Sequence, residues 1–379
     1  MGKTSKKIAS FYNNPIDYTL LITVLLLLSL GLIMVLSASS PTAISEGRSS
    51  YAYFIRQGLF AALGIVAMIF ISKIDYRIYK KFYIIVYILS IILLAAVLVV
   101  GRKVNGARRW IYLTESLSFQ PSELVKLFMI IFYATILTKD REELKYFIKG
   151  WIKHLIWLVP IIGLLIIEPH LSASIVIIGI CVIMMILAGC KLMQIVVPGT
   201  AIGLPLLGIA ILKIPKFAHA LKRITTFIDP WQDKLGDGWQ VIQSLYAIGS
   251  GGLFGLGLGQ SKQKYLYLPE PQNDFIFSVI AEELGFVGCA FVIILFAILI
   301  WRGILTAMNA PDMYGSLLAI GITSLIGIQT IINIAVVTSS MPATGMPLPF
   351  FSYGGTALFI LLCEIGILLN ISRAGNKTA

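Results

Sequence analysis

Residues 269–300 read PEPQNDFIFSVIAEELGFVGCAFVIILFAILI. A stretch bearing Glu270, Asp274, Glu282 and Glu283 runs directly into an apolar segment long enough to cross a bilayer. An ionisable group inside such a segment is costly, so its presence asks for a partner or a function. The same greasy character extends along the chain. Of 379 residues, 58% are hydrophobic and 13% charged, and the mean hydropathy is +0.90. A soluble domain of this length would be about a quarter charged. The composition predicts an all-α polytopic integral membrane protein and excludes a string of soluble domains.

Apolar runs place about ten spans near 18–38, 52–72, 82–100, 121–138, 152–168, 171–188, 194–212, 275–300, 314–338 and 352–371. One long hydrophilic segment, 213–273, lies between the seventh and eighth. Lys and Arg concentrate in alternate connections, for example Lys73, Arg77, Lys80 and Lys81. By the positive-inside rule both termini are then cytoplasmic and 213–273 is a large extracellular loop. The organisation expected is a single transmembrane domain over 1–379, with a cytoplasmic N-terminal segment 1–17 and a cytoplasmic tail 372–379. The first apolar run is long enough to be an uncleaved first helix. The net charge of +12 fits this loop bias better than a nucleic-acid footprint, because no basic helix or aromatic-basic motif accompanies it. Cys181, Cys190, Cys289 and Cys363 form no CxxC pair, and His154, His170 and His219 are scattered. No metal-ligand set is legible.

Arg102, Lys103, Arg108 and Arg109 sit together on the outer side, against the rule. They read either as lipid-headgroup contacts or as an anion site in which Arg108 and Arg109 present guanidinium forks to phosphate. Helix four opens Gln120-Pro121-Ser122-Glu123, with proline suited to the first turn and Gln120 or Ser122 able to cap. Glu123 and Lys126 are three apart on one face. They read either as a self-neutralising ion pair or as a lysine facing a ligand phosphate beside its orienting glutamate. Asp274 lies at the outer mouth of helix eight, as an N-cap or as a reactive carboxylate. Glu282 lies roughly 12 Å further along the axis, where it and Glu283 read as partners of buried cations or backbone donors. A short helix near 239–249 carrying Trp and Tyr suits the membrane interface. GGLFGLGLG (251–259) lacks the strand-turn-helix context of a nucleotide loop, so its glycines are read as permitting close backbone turns.

The segments GARRWI (106–111), FQPSELVK (119–126), FIDPWQDKLGDGWQVIQSLYAIGSGGLFGLGLG (227–259), YLPEPQNDFIFSVIAEELG (267–285) and PATGMPLPFFSYGGTAL (342–358) together resemble the SEDS family of bacterial cell-wall polymerases. PEPQNDFIF is most similar to the FtsW and SpoVE branch, less to RodA. The resemblance implies a peptidoglycan glycosyltransferase at the outer face of the cytoplasmic membrane, serving division or sporulation. It would polymerise lipid II and undecaprenyl-diphosphate-linked glycan into β-1,4 strands by an inverting mechanism. It implies a class B penicillin-binding transpeptidase as partner, among other divisome or sporulation proteins, and no nucleic acid. The family's essential aspartate falls on Asp274, and its GARRW and PSELVK positions fall on Arg108, Arg109, Glu123 and Lys126. Asp274 is then expected to be the general base, with Arg108, Arg109 and Lys126 binding the lipid diphosphate. Glu123, Glu270, Glu282 and Glu283 are expected to support the site, Glu270 being an alternative base. A divalent cation, Mg or Mn, can bridge the diphosphate in such chemistry; no organic cofactor is implied. His170 stands where many members carry an aspartate, so that role is not transferred. A lipid II flippase and a noncatalytic scaffold are the competing readings.

Overall fold

The computed structural model describes residues 15–104, 107–112, 118–191, 226–234, 236 and 238–375. The expected seventh span, 194–212, and Arg223, Asp237 and His219 lie outside the described residues. Among the described residues, nine helices are long and apolar enough to span a bilayer. Helix α1 is Tyr18–Ser45 and α2 is Ala52–Ile71. A 3-10 turn, Tyr76–Phe82, leads into α3, Tyr83–Val100. Then come β1 (Arg102–Val104), β2 (Ala107–Tyr112), β3 (Ser118–Phe119) and α4 (Pro121–Lys139). The span Lys149–Ile167, here α5, is built from a π segment, Phe147–Ile152, and two helical pieces, Lys153–Ile156 and Leu158–Ile167. The remainder are α6 (Leu171–Ala188), α7 (Trp239–Gly251), α8 (Ile276–Met308), α9 (Met313–Val337) and α10 (Gly355–Ala374).

Helix α4 is the most enclosed of the spans, packed by α3, α6 and α9. Helices α2 and α3 leave most of their apolar surface outward, as contact with lipid tails requires. The start of α1 and the end of α10 meet at one end of the bundle. Asp17 caps α1 through Leu20 N–H (3.0 Å) and accepts from Arg302 Nε (2.8 Å). Its own N–H donates to Ser372 Oγ (3.4 Å). At the same end Asp312 caps α9 and accepts from Tyr76 Oη (2.8 Å) and Arg77 Nε (3.0 Å). Asp274 lies at the opposite end, where α8 begins and α9 finishes.

Two features depart from the sequence expectation. The segment after α3 is a three-stranded antiparallel sheet in the order β1-β2-β3, where the sequence predicted an all-α chain. Its residues have no apolar period, and only cross-strand pairing reveals the strands. The second departure is in α8, which is not one straight rod: Gly285 breaks it at φ 66° and ψ −166°. The sequence placed Glu282 part-way down a single span, but residues 276–284 form a separate short helix before the spanning part. The break strands helical carbonyls and N–H groups, which must find partners. The glycine segment supplies them. Leu256 N–H and Gly257 N–H donate to the carbonyls of Glu282 (2.9 Å) and Glu283 (3.0 Å), while Phe286 N–H and Val287 N–H donate to Gly252 O (2.9 Å) and Leu253 O (3.1 Å).

Backbone can approach that closely only without side chains. A Cβ on Gly255 would sit 2.1 Å from Glu283 O, and one on Gly285 2.3 Å from Gly255 N. Gly285→Ala adds a left-handed backbone penalty to that overlap and is expected to destabilise by more than ~1 kcal/mol. The check is the thermal unfolding midpoint in detergent; an unchanged midpoint would show that the break is not structurally required.

Candidate functional site

The carboxylate end of the site is assembled by residues 341–354, MPATGMPLPFFSYG. Asn333, buried near the end of α9, donates from Nδ2 to Asp274 O and to Met346 O, both at 2.7 Å. Ser352 Oγ donates to Asn273 O (2.6 Å) and accepts from Leu348 N–H (2.7 Å). Tyr353 N–H donates to Gln272 O (2.8 Å). Gln57 of α2 clamps the far side, bonding Ser352 O (3.2 Å) and Gly354 N–H (3.1 Å). Asp274 is thus a half-buried residue on a backbone fixed from three sides. Gly345, at φ 70°, faces it, and a Cβ there would lie 3.6 Å from Asp274 Oδ2. The N-cap of α8 is Phe275, without a side-chain cap bond, so the N-cap reading of Asp274 is corrected.

The cationic side comes from β2, α4 and the corner between α5 and α6. Lys126 is 2% exposed, and its Nζ lies 2.7 Å from Glu123 Oε2. Both lie in the first two turns of α4, where the pairing offsets the cost of burying either charge alone. The ion-pair reading is realised, and it leaves the remaining ammonium protons available to further acceptors. Glu364, buried on α10, acts electrostatically on both members.

Arg109 Nη2 donates to Pro169 O in the Glu168-Pro169-His170 corner. Neighbouring strand residues point to opposite faces, and Arg108 accordingly turns away. It is exposed and donates from Nη1 to Leu98 O (2.8 Å) at the end of α3. The two guanidiniums, expected as one fork, bond on different sides, Arg109 at the α5–α6 corner and Arg108 at the end of α3.

The corner itself is buried. Glu168 is 2% and His170 8% exposed. Burial pushes the Glu168 carboxyl up to about 8, against the attraction of Arg109. Burial, Arg109 and Lys126 hold His170 down at about 3, so the ring is neutral. Gln120 is the N-cap residue of α4 but makes no side-chain cap bond, and Ser122 Oγ does not cap either. Gln120 Nε2 instead sits 3.4 Å from His170 Nε2. Two residues on, in the first turn of α6, Ser172 Oγ donates to Thr344 O, the neighbour of Gly345. The residues 344–345 therefore connect the Asp274 side to the Arg109–Lys126 side.

The other acidic residues of the opening stretch have structural partners. Glu282 accepts from Ser261 Oγ, Lys262 N–H (2.9 Å) and Gln263 N–H (3.3 Å). Glu283 accepts from Ser37 Oγ (2.7 Å) and Lys264 Nζ (2.8 Å). Glu270, at φ 49°, accepts from Gln272 Nε2 (3.2 Å) and Asn273 Nδ2 (2.8 Å). Burial and the nearby Glu46 raise its affinity for a proton. Sequence reading set the Glu168 corner aside and did not single out Glu364. The signal for both was an ionisable residue inside or between apolar spans.

Residues 18–377 match the family model of FtsW, RodA and SpoVE, described as "Cell cycle protein". The chain belongs to this family. Among curated relatives, Stage V sporulation protein E of Bacillus subtilis (strain 168) is 45% identical over 359 residues, covering 94% of this chain and 97% of that protein. A "Probable peptidoglycan glycosyltransferase FtsW" of Trichlorobacter lovleyi is 41% identical, covering 96% and 94%. Among solved structures, Thermus thermophilus rod shape determining protein RodA superposes with a TM-score of 0.70 at 28% identity, covering 96% of this chain and 98% of that one. A chain from work described as "Structural coordination of polymerization and crosslinking by a peptidoglycan synthase complex" gives a TM-score of 0.79 at 30% identity, covering 94% and 98%. The FtsW/RodA/SpoVE fold agrees with the helical membrane architecture derived from composition.

Proposed function

We propose that this FtsW/RodA/SpoVE protein is a peptidoglycan glycosyltransferase that polymerises lipid II at the outer face of the cytoplasmic membrane, with Asp274 as general base. The observation that carries the proposal is the connection through Thr344 and Gly345, which links a half-buried carboxylate to a pair of buried or half-buried cations. In this reaction Asp274 takes the proton of the acceptor sugar hydroxyl. The hydroxyl oxygen attacks the anomeric carbon of the donor as the bond from that carbon to the diphosphate oxygen breaks. The lipid diphosphate departs with the electron pair, and Arg109 and Lys126 hold its charge. Attack opposite an α-linked leaving group gives the β linkage by inversion, with no covalent sugar-enzyme intermediate.

Among the described residues no three His, Cys, Asp or Glu side chains gather as a metal site. The proposal therefore routes no step through a protein-held ion; a divalent cation would come bound to the diphosphate. The likeness to a chain from a synthase complex of polymerisation and crosslinking supports a class B penicillin-binding transpeptidase as partner.

The test is glycan chain formation from lipid II by the purified protein with such a transpeptidase. Polymer is the expected product. Its absence from a folded, assembled complex would return a lipid transporter or a scaffold to first place. Within the proposal, Arg109→Ala should weaken lipid II binding about tenfold, the worth of a charge-assisted hydrogen bond. Arg108→Ala should change it less than about twofold, as for an exposed charge outside the site. Equal losses in titration binding experiments would restore the two-arginine fork.

A further inference from the structure

Glu168 and His170 present two buried polar atoms that the machinery above does not use. Glu168 Oε1 and His170 Nδ1 have no hydrogen-bond partner among the described residues. A buried polar atom left this way is desolvated without compensation, so a ligand that satisfies it gains affinity. The two residues flank Pro169 in the chain, and the Pro169 carbonyl accepts from Arg109. His170 is neutral, and Gln120 Nε2 faces its Nε2. Nε2 then accepts, and the ring proton resides on Nδ1 as a donor.

We propose that Glu168 binds the lipid diphosphate as a protonated acid, donating a hydrogen bond from its carboxyl to a phosphate oxygen beside Arg109, so that diphosphate binding is linked to proton uptake. The inference rests on the diphosphate reading of Arg109 and Lys126. An ionised Glu168 would oppose the ligand's negative charge and compete with it for Arg109. A protonated one removes that repulsion and adds a hydrogen-bond donor to the corner. Arg109, held on the Pro169 carbonyl, and the two residues beside that proline then all carry donors. The charged group acting on Glu168 among the described residues is Arg109 on β2. Further out are Lys126 and Glu123 on α4, which also influence Glu364 on α10, and Asp274 beyond residues 344–345. His170 on α6 titrates far below neutrality. With Glu168 pushed up to about 8 by burial, the carboxyl is protonated below that pH and ionised above it. Affinity should therefore fall as pH rises through 8.

The experiment measures lipid II binding to the full-length protein in detergent from pH 6.5 to 9. An Asp274→Asn background stops turnover and removes that carboxylate's own titration. Affinity should drop about tenfold between pH 7 and pH 9. Glu168→Gln, which keeps the donor but cannot ionise, should bind at pH 9 as the parent does at pH 7, with a flat profile. A flat profile in the parent overturns the proposal even if Glu168→Gln does not fold. Parallel losses at every pH in Glu168→Gln would make Glu168 a structural partner of Arg109 instead. No binding at any pH would overturn the diphosphate reading and this inference with it.

Discussion

Asp274→Asn is expected to reduce glycan polymerisation by roughly 10²–10⁴-fold, the usual contribution of a positioned general base. The substitution keeps shape and removes the proton acceptor. The backbone bond from Asn333 to the Asp274 carbonyl does not involve the substituted group, so the segment should stay held. Polymer yield from lipid II, measured beside the unfolding midpoint and transpeptidase binding, separates chemistry from folding. A variant that polymerises at the wild-type rate would move the base elsewhere, with Glu270 as the next carboxylate along the chain. The geometry already weighs against Glu270, whose carboxylate is held by the Gln272 and Asn273 amides.

The largest stability effect is expected at Lys264. Its ammonium lies 2.8 Å from Glu283 Oε1 and also donates to Gly259 O (2.7 Å) and Ser37 Oγ (3.0 Å). Lys264 is 3% and Glu283 0% exposed. Lys264→Met leaves the Glu283 carboxylate buried without its counter-ion, which typically costs about 3–5 kcal/mol. The double variant Lys264→Met/Glu283→Gln should recover much of that loss, because no unpaired charge then remains. Denaturant or thermal unfolding in detergent reads both. A loss below about 1 kcal/mol in the single variant would class the pair with exposed salt bridges. The pair ties α1 to the short first segment of α8, so it also fixes the backbone from which Asp274 projects.

Much of this molecule follows from local chemistry. The bounds of α6, 171–188, coincide with its apolar run, and α2, α4 and α9 agree within a residue. A bilayer demands helices of that length with their hydrogen bonds made internally. Asp274 and Lys126 were legible because ionisable groups are rare in such segments, and the resemblance pointed to the same positions. The glycine segment 251–259 was legible only in part. Its freedom to turn could be read from composition, but the break at Gly285 that it serves could not, because 276–308 is apolar and helical on both sides of the break.

Hydropathy and spacing within a short window were enough for the helical membrane architecture, the nine described spans and the candidate charges. Tertiary structure alone decided which charges meet. Strand alternation in β2 sent Arg109 toward the site and Arg108 away from it. The α5–α6 corner brought Glu168 and His170 beside that guanidinium, though they lie some sixty residues along the chain from it. Those meetings depend on contacts between segments far apart in sequence, and hydropathy carries no record of them.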